Sequence, residues 1–133
     1  MHDRGAEPDG LALALAPDVD APGLARRFVV GAAESALGAP ALDAAGLDAL
    51  RLLVSEVVAN VVVHARTPMQ VDADVQKGCV RVEVSDDLPP DPDVRPASGE
   101  SYGLRLVEAL ASRWGIDATA DGKRVWFEVR CAP

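Results

Sequence analysis

The sequence is short of basic residues, with 13 lysines and arginines against 21 aspartates and glutamates and a formal net charge of −8. An acidic surface is a poor counterion for phosphate backbones or anionic lipid, so binding to nucleic acid or to a membrane surface is not expected. The two cysteines, Cys79 and Cys131, have no CxxC spacing, which is typical of a reducing compartment. There is no signal-peptide pattern and no apolar run long enough to cross a membrane. These absences predict a soluble cytoplasmic protein.

At 133 residues and 49% hydrophobic content, the chain is large enough for one compact domain with a real core. Residues 1–10 are polar and contain glycine and proline, so we expect a flexible N-terminal lead-in there. Residues 11–133 are expected to form a single domain.

The most informative stretch is 47–65, LDALRLLVSEVVANVVVHA, in which Glu56, Asn60 and His64 are almost the only polar groups after Ser55. Residues four apart lie on one side of an α-helix, so these three form a polar stripe on a helix whose other sides are apolar. Even spacing would also place them on one face of a strand, and the valines favour strands. The length of the stretch without glycine or proline favours the helix, which we expect to begin near Leu42.

Around this helix the pattern predicts an α/β protein with the order strand, helix, long helix, hairpin, loop, helix, hairpin. The first strand and helix are expected at 11–15 and 24–37, and the first hairpin at 71–75 and 80–84. The Pro-rich stretch 88–101 is expected to be a loop, either a lid over a site or a passive linker. The next helix is expected to carry Leu104 to Trp114 on its apolar side, and the last hairpin lies at 116–120 and 125–129.

Three places in the sequence carry polar groups with informative chemistry. An amide such as that of Asn60 can help to hold Mg²⁺, and a nearby carboxylate such as Glu56 can take a proton from an attacking hydroxyl. Asp86, at the end of the first hairpin, can accept a hydrogen bond from an exocyclic amine. The helix start at 102–104 presents unpaired N–H groups and is a candidate phosphate seat. None of these groups alone identifies ATP.

In this order and spacing, the residues resemble the GHKL (histidine-kinase-like) ATPase superfamily, and within it the short bacterial anti-sigma-factor serine/threonine kinases. The run SEVVANVVVHA resembles the N box of that family. This resemblance implies that Glu56 is the general base, Asn60 the Mg²⁺ ligand and His64 a nucleotide-binding basic residue. For His64 a second interpretation remains open, in which the imidazole caps carbonyl groups at the end of the helix.

Two further segments carry the resemblance. VEVSDD resembles the first glycine box, which implies that Asp86 binds the adenine amino group. YGLRLVEALASRWGI resembles the second glycine box, with Gly103 matching its closing glycine. It implies that the nucleotide contacts Ser101, Tyr102, Gly103 and Leu104, and that 88–101 is the ATP lid.

The resemblance covers residues 24–129 and implies the Bergerat/GHKL fold. This is a two-layer α/β sandwich whose mixed, mostly antiparallel sheet is covered on one face by three helices. It also implies ATP and Mg²⁺ as cofactors and the phosphorylation of a serine or threonine on an anti-anti-sigma (STAS-type) partner. A sigma factor is the other implied protein partner, and a homodimer is suggested.

The sequence departs from the family pattern at three positions. Leu88 and Ser101 replace glycines, and Arg124 stands where a small hydroxyl residue is common. A Cβ at either glycine position narrows the pocket or forbids a positive φ. Leu88 and Ser101 therefore motivate an alternative hypothesis, a catalytically weak or inactive module on the same fold that sequesters a sigma factor or a signalling partner.

Overall fold

The structure is a computed structural model that describes residues 10–37, 42–76, 78–90 and 104–131. The described residues form five strands: β1 (Gly10–Leu15), β2 (Met69–Gln76), β3 (Cys79–Asp86), β4 (Arg113–Ala118) and β5 (Lys123–Arg130). They also form three α-helices: α1 (Ala21–Leu37), α2 (Ala44–Asn60) and α3 (Arg105–Leu110).

The five strands form one sheet in the order β1-β2-β3-β5-β4. Every neighbouring pair in this sheet is antiparallel. The sheet and the three helices confirm the predicted α/β fold. The sheet was predicted to be mixed and mostly antiparallel, and the described strands are all antiparallel. The predicted first hairpin is confirmed as β2 and β3, each a few residues longer than the alternation alone indicated.

The hydrophobic core lies between one face of the sheet and the helices. Alternate residues of β3, which are Val80, Val82, Val84 and Asp86, are buried on this face. Helix α2 contributes a second buried set, which comprises Leu50, Leu53, Val54, Val57 and Val58. Phe127 on β5 is the largest fully buried side chain among the described residues, and its burial contributes on the order of 2–3 kcal/mol. Leu52, on the outer side of α2, is an exposed apolar residue that retains 50% of its accessible surface.

Helix α2 begins at Ala44 because Asp43 caps it. The Asp43 carboxylate accepts a hydrogen bond from the Gly46 N–H at 2.7 Å, which satisfies one of the first-turn amides that have no partner within the helix. Gly46 therefore lies in the first turn, where the cap offsets its low helix propensity. The long helix that the sequence predicts is confirmed.

The α2 helix does not end at Asn60 but continues into a π-helical turn, Val61–Ala65. The Arg66 N–H donates to the Val61 carbonyl oxygen at 2.7 Å. Arg66 adopts the left-handed conformation with φ 58° and so stops the helix. The wider turn changes the spacing on which the predicted polar stripe depends beyond Asn60.

Helix α3 is shorter than predicted, and the prediction that it extends through Trp114 is wrong. The helix ends at Leu110, Ala111 is extended with ψ 143°, and β4 begins at Arg113. The Ser112 N–H already donates to the Glu128 carbonyl oxygen at 2.8 Å, and Trp114 pairs with Phe127 on β5. The apolar residues have a helical spacing, but the segment is too short for this spacing to specify a helix, and pairing with β5 determines its structure instead.

The face of the sheet opposite to the helices carries a network of charged groups. Arg81 donates to Glu83 at 2.8 Å and to Glu128 at 2.9 Å, and its guanidinium lies 4.0 Å from the Trp126 ring centroid. Burial lowers the pKa of Arg81, but the hydrogen bonds to both glutamates outweigh it and leave this pKa above its ordinary value. Gly115 lies beneath the Trp126 ring, where a Cβ would be 2.7 Å from the indole nitrogen.

Candidate functional site

Glu56 lies in the last two turns of α2 and holds the start of α3. Its carboxylate accepts hydrogen bonds from the backbone N–H groups of Leu106 at 3.2 Å and Val107 at 3.0 Å. These are the amides that a side-chain cap normally satisfies, and Leu104, the residue at the cap position of α3, makes no such bond. The predicted general base therefore acts in this structure as a cap supplied by another helix.

Asn60 is the last residue of α2, one helical turn after Glu56. Its side chain is half-buried, and its amide forms no hydrogen bond with any residue in the described part of the chain. An amide held at a helix end without a partner has an oxygen free to coordinate a hard cation. The geometry at this position is compatible with the predicted metal ligand.

His64 differs from the other two members of the predicted stripe. It lies within the π-helical turn and is exposed, whereas Glu56 and Asn60 are half-buried. Its imidazole makes no hydrogen bond to the described residues. The alternative interpretation, that it caps carbonyl groups, is therefore not supported by a bond in this structure.

Asp86 lies at the end of β3 and is buried on the helix side of the sheet, with a side chain that retains 0% of its accessible surface. The residue directly opposite on β5 is Lys123, whose Nζ is 2.9 Å from Asp86 Oδ2. The angle of approach does not satisfy hydrogen-bond geometry, so Oδ2 has no hydrogen bond from the described residues despite the short distance. The predicted adenine-binding carboxylate is thus one half of a buried ion pair.

Leu88 closes a short turn over this carboxylate. Its N–H donates to Asp86 Oδ1 at 2.8 Å, and its carbonyl oxygen is 3.4 Å from Lys123 Nζ. Arg66 is the only non-glycine residue with a positive φ in the described ranges. The backbone at Leu88 therefore does not need glycine in this conformation.

The predicted phosphate seat is described only at its last residue. Ser101, Tyr102 and Gly103 lie outside the described residues, as does most of the predicted lid. Leu104 is fully buried in the core, so only its backbone is available to a ligand.

Sequence reasoning missed Lys123 and singled out its neighbour Arg124. Alternation along β5 puts Lys123 on the same face as the buried Val125 and Phe127, and Arg124 on the opposite, charged face. Arg124 lies 3.9 Å from Glu83 and 3.8 Å from Asp117 on that face. The period of two was therefore a signal that could have placed Lys123 on the buried face of the sheet.

Three other kinds of feature can be assessed in the described residues: metal clusters, membrane-spanning helices and reactive thiols. Across the described ranges, no group of three or more His, Cys, Asp or Glu side chains could hold a metal ion. No helix among the described residues is long and apolar enough to cross a membrane. Burial raises the pKa of both the Cys79 and the Cys131 thiols, which disfavours the reactive thiolate.

The sequence of the chain also matches the model of a protein family. The model of the histidine kinase-like ATPase domain matches residues 19–129. The chain belongs to this family. No curated protein matches this chain in sequence.

Among solved structures, this histidine kinase-like ATPase domain is similar to the crystal structure of the RsbU and RsbW domains of Rv1364c from Mycobacterium tuberculosis. The TM-score is 0.68 at 22% identity, and the match covers 92% of this chain and 32% of that chain. The present chain therefore spans about a third of that relative. At this identity the similarity demonstrates the fold alone.

Membership of this family supports ATP binding, generally with Mg²⁺, and the site residues fit these ligands unequally. Asn60 has a free amide where a Mg²⁺ ligand is expected. Asp86 provides a buried carboxylate oxygen without a hydrogen bond, but the Lys123 ammonium group faces it. Glu56 has both carboxylate oxygens engaged by α3.

The cap on α3 leads to a testable prediction. Replacing Glu56 with alanine should lower the free energy of unfolding by about 1–2 kcal/mol, because two amides of α3 lose their acceptor. Urea denaturation measures the loss, and hydrogen exchange at the Leu106 and Val107 amides should accelerate. Glu56→Gln is the matched control, since its single carbonyl oxygen retains one acceptor and should cost less. Unchanged exchange at these two amides in Glu56→Ala would show that the cap has no energetic role.

Proposed function

We propose that this chain binds ATP and Mg²⁺ and acts as an anti-sigma-type regulator that phosphorylates a serine or threonine on an anti-anti-sigma partner. The observation that carries the proposal is the arrangement at the end of α2. Glu56 and the unbonded Asn60 lie one turn apart on the helix, in a domain of the histidine kinase-like ATPase family.

Each residue has a definite role in this proposal. Asn60 holds Mg²⁺, which neutralises phosphate charge when it is bound, and Asp86 accepts a hydrogen bond from the adenine amino group. The hydroxyl oxygen of the partner forms a bond to the γ-phosphorus while ADP departs, and the hydroxyl proton passes to Glu56. Catalysis of this kind depends mainly on positioning and charge neutralisation.

Each Glu56 carboxylate oxygen accepts one hydrogen bond from α3 and keeps a second lone pair for the proton. A protonated carboxyl group is a weaker acceptor than a carboxylate, so we expect the bonds to Leu106 and Val107 to weaken as the proton is taken. The hydrogen bond to Leu106 is the longer of the two, at 3.2 Å, and is the one we expect to lengthen first.

The experiment that tests the proposal is a calorimetric titration of the protein with ATP, with and without Mg²⁺. We expect Mg²⁺-dependent binding that is lost or weakened at least tenfold in Asp86→Asn and weakened in Asn60→Ala. Asp87→Asn is the matched control, because it makes the same change of charge at the next, exposed residue. Thermal melts without ligand establish that each variant is folded. Binding that Asp86→Asn leaves intact would overturn the role given to Asp86.

A second candidate function is a protein-binding module with little or no catalysis, which sequesters a sigma factor or a signalling partner. Two observations favour it, the ion pair between Asp86 and Lys123 and the engagement of Glu56 by α3. A silent titration at millimolar ATP, together with intact binding of the partner, would favour this candidate over the kinase.

A further inference from the structure

The buried pair of Asp86 and Lys123 has a consequence for nucleotide binding. We propose that Lys123 is an internal competitor for Asp86, so that ATP binds only when the lysine side chain leaves this carboxylate. The inference rests on the proposed function, since it takes Asp86 as the group that recognises the base. It assigns to Lys123 control over the affinity of the site.

The competition follows first from geometry. Asp86 and Lys123 are directly opposite in the register of β3 and β5. Both side chains lie on the helix side of the sheet, and they retain 0% and 7% of their accessible surface. Nζ is 2.9 Å from Oδ2, so the ammonium group fills space beside the oxygen that a base amino group would have to approach.

The two oxygens of the carboxylate are not equally available. Oδ1 accepts the Leu88 N–H at 2.8 Å, which holds Asp86 in the turn that ends β3. Oδ2 has no hydrogen bond from the described residues, so it has the greater acceptor capacity for a base amino group. The Lys123 ammonium group is in contact with this buried oxygen, so we expect an amino group to reach it by displacing the lysine.

The backbone around the pair leaves the lysine side chain as the part that moves. Gly122, the residue before Lys123, is so close to the backbone of Asp86 that a Cβ there would collide with the Asp86 carbonyl oxygen. This contact fixes the ends of β3 and β5 against each other. The four-carbon stem of Lys123 has several rotatable bonds and can carry its charge toward solvent, whereas the short side chain of Asp86 cannot follow.

The first test is the affinity of Lys123→Thr for ATP in the presence of Mg²⁺, measured by calorimetry. Threonine removes the ammonium group and supplies a hydroxyl donor near Asp86. We expect the dissociation constant to fall at least tenfold relative to the unmodified protein. The matched control is Arg124→Thr, which removes the same charge from the next residue on the opposite face of the sheet, and it should stay within twofold.

The second test uses the unmodified protein and decides the matter if Lys123→Thr does not fold. The sequence contains only two lysines, Lys77 and Lys123, so acetylation by an amine-reactive ester can be followed at each by mass spectrometry. Saturating ATP with Mg²⁺ should raise the acetylation rate of Lys123 at least fivefold and leave that of Lys77 unchanged.

The outcomes separate this inference from the proposed function. If the unmodified protein binds ATP and Lys123→Thr binds it equally or more weakly, Lys123 does not compete and the inference is overturned while ATP binding stands. If only Lys123→Thr binds ATP, the inference is supported and Lys123 accounts for the silent wild-type site. If neither protein binds, both the inference and the proposed function fail.

Discussion

Replacing Gly122 with alanine should lower the free energy of unfolding by about 3 kcal/mol. A Cβ at this position would lie well inside contact distance of the Asp86 carbonyl oxygen and 2.7 Å from the Asp87 Cα. These atoms belong to the backbone, so no side-chain rotation can relieve the collision. The turn before β5 would have to shift away from the end of β3, and chemical denaturation measures the cost.

The substitution should also disturb the site, because Gly122 precedes the lysine that faces Asp86. The turn is closed by the Thr119 N–H donating to the Gly122 carbonyl oxygen at 2.9 Å, and by the Gly122 N–H donating to Thr119 Oγ1 at 3.0 Å. Both bonds would be strained by the same shift.

Gly31→Ala is the matched control for this prediction. Gly31 lies within α1, and a Cβ there would meet no atom within 4 Å. Alanine favours the helix over glycine, so this variant should gain about 0.5–1 kcal/mol. Equal stabilities of Gly122→Ala and Gly31→Ala would show that the turn accommodates a side chain and that the ends of β3 and β5 are not fixed as inferred.

The parts of the fold that the sequence predicted well are those with a long, regular pattern. The alternation of Val80, Val82 and Val84 with polar residues predicted one buried face of β3, and the structure has this face. The polar residues of α2 stood out because the helix around them is apolar. In both cases many residues agree on one period, so an error at a single position does not change the result.

The parts that were missed depend on contacts between residues that are distant in sequence. Helix α3 has six residues. The spacing of the apolar residues around Trp114 also fits a longer helix, and only the pairing of Trp114 with β5 excludes that interpretation. The π-helical turn after Asn60 produces no change of composition. The role of Glu56 as a cap for α3 joins residues about 50 positions apart, and no local pattern reports it.

The candidate site shows the same division. The spacing of Glu56 and Asn60, and the position of Asp86 at a strand end, were readable because each belongs to a regular element. The partner of Asp86 was not, since it lies on β5 and its identity follows only from the strand order in which β3 and β5 are neighbours. Leu88 replaces a family glycine, but its backbone does not have a positive φ and so does not need glycine. Lys123, in contrast, affects the site directly, because its ammonium group faces the Asp86 carboxylate.

The last prediction concerns the contribution of the ion pair between Asp86 and Lys123 to the free energy of unfolding. Replacing Lys123 with methionine should cost about 3–5 kcal/mol, because it leaves the Asp86 carboxylate buried without a counterion. Asp86→Ala should cost less, since the long Lys123 side chain can turn its ammonium group toward solvent, an escape that the fully buried Asp86 lacks. The double variant should recover much of the loss, and urea denaturation of all four proteins gives the coupling energy.

The asymmetry between the two single variants is the decisive quantity. If Asp86→Ala costs as much as Lys123→Met, the lysine is confined as tightly as the carboxylate and cannot move aside for a nucleotide. If Lys123→Met costs clearly more, the mobile member of the pair is the lysine, which is the condition for a carboxylate that a base can reach. A coupling energy near zero would mean that the 2.9 Å contact between Nζ and Oδ2 contributes nothing to the stability of the fold.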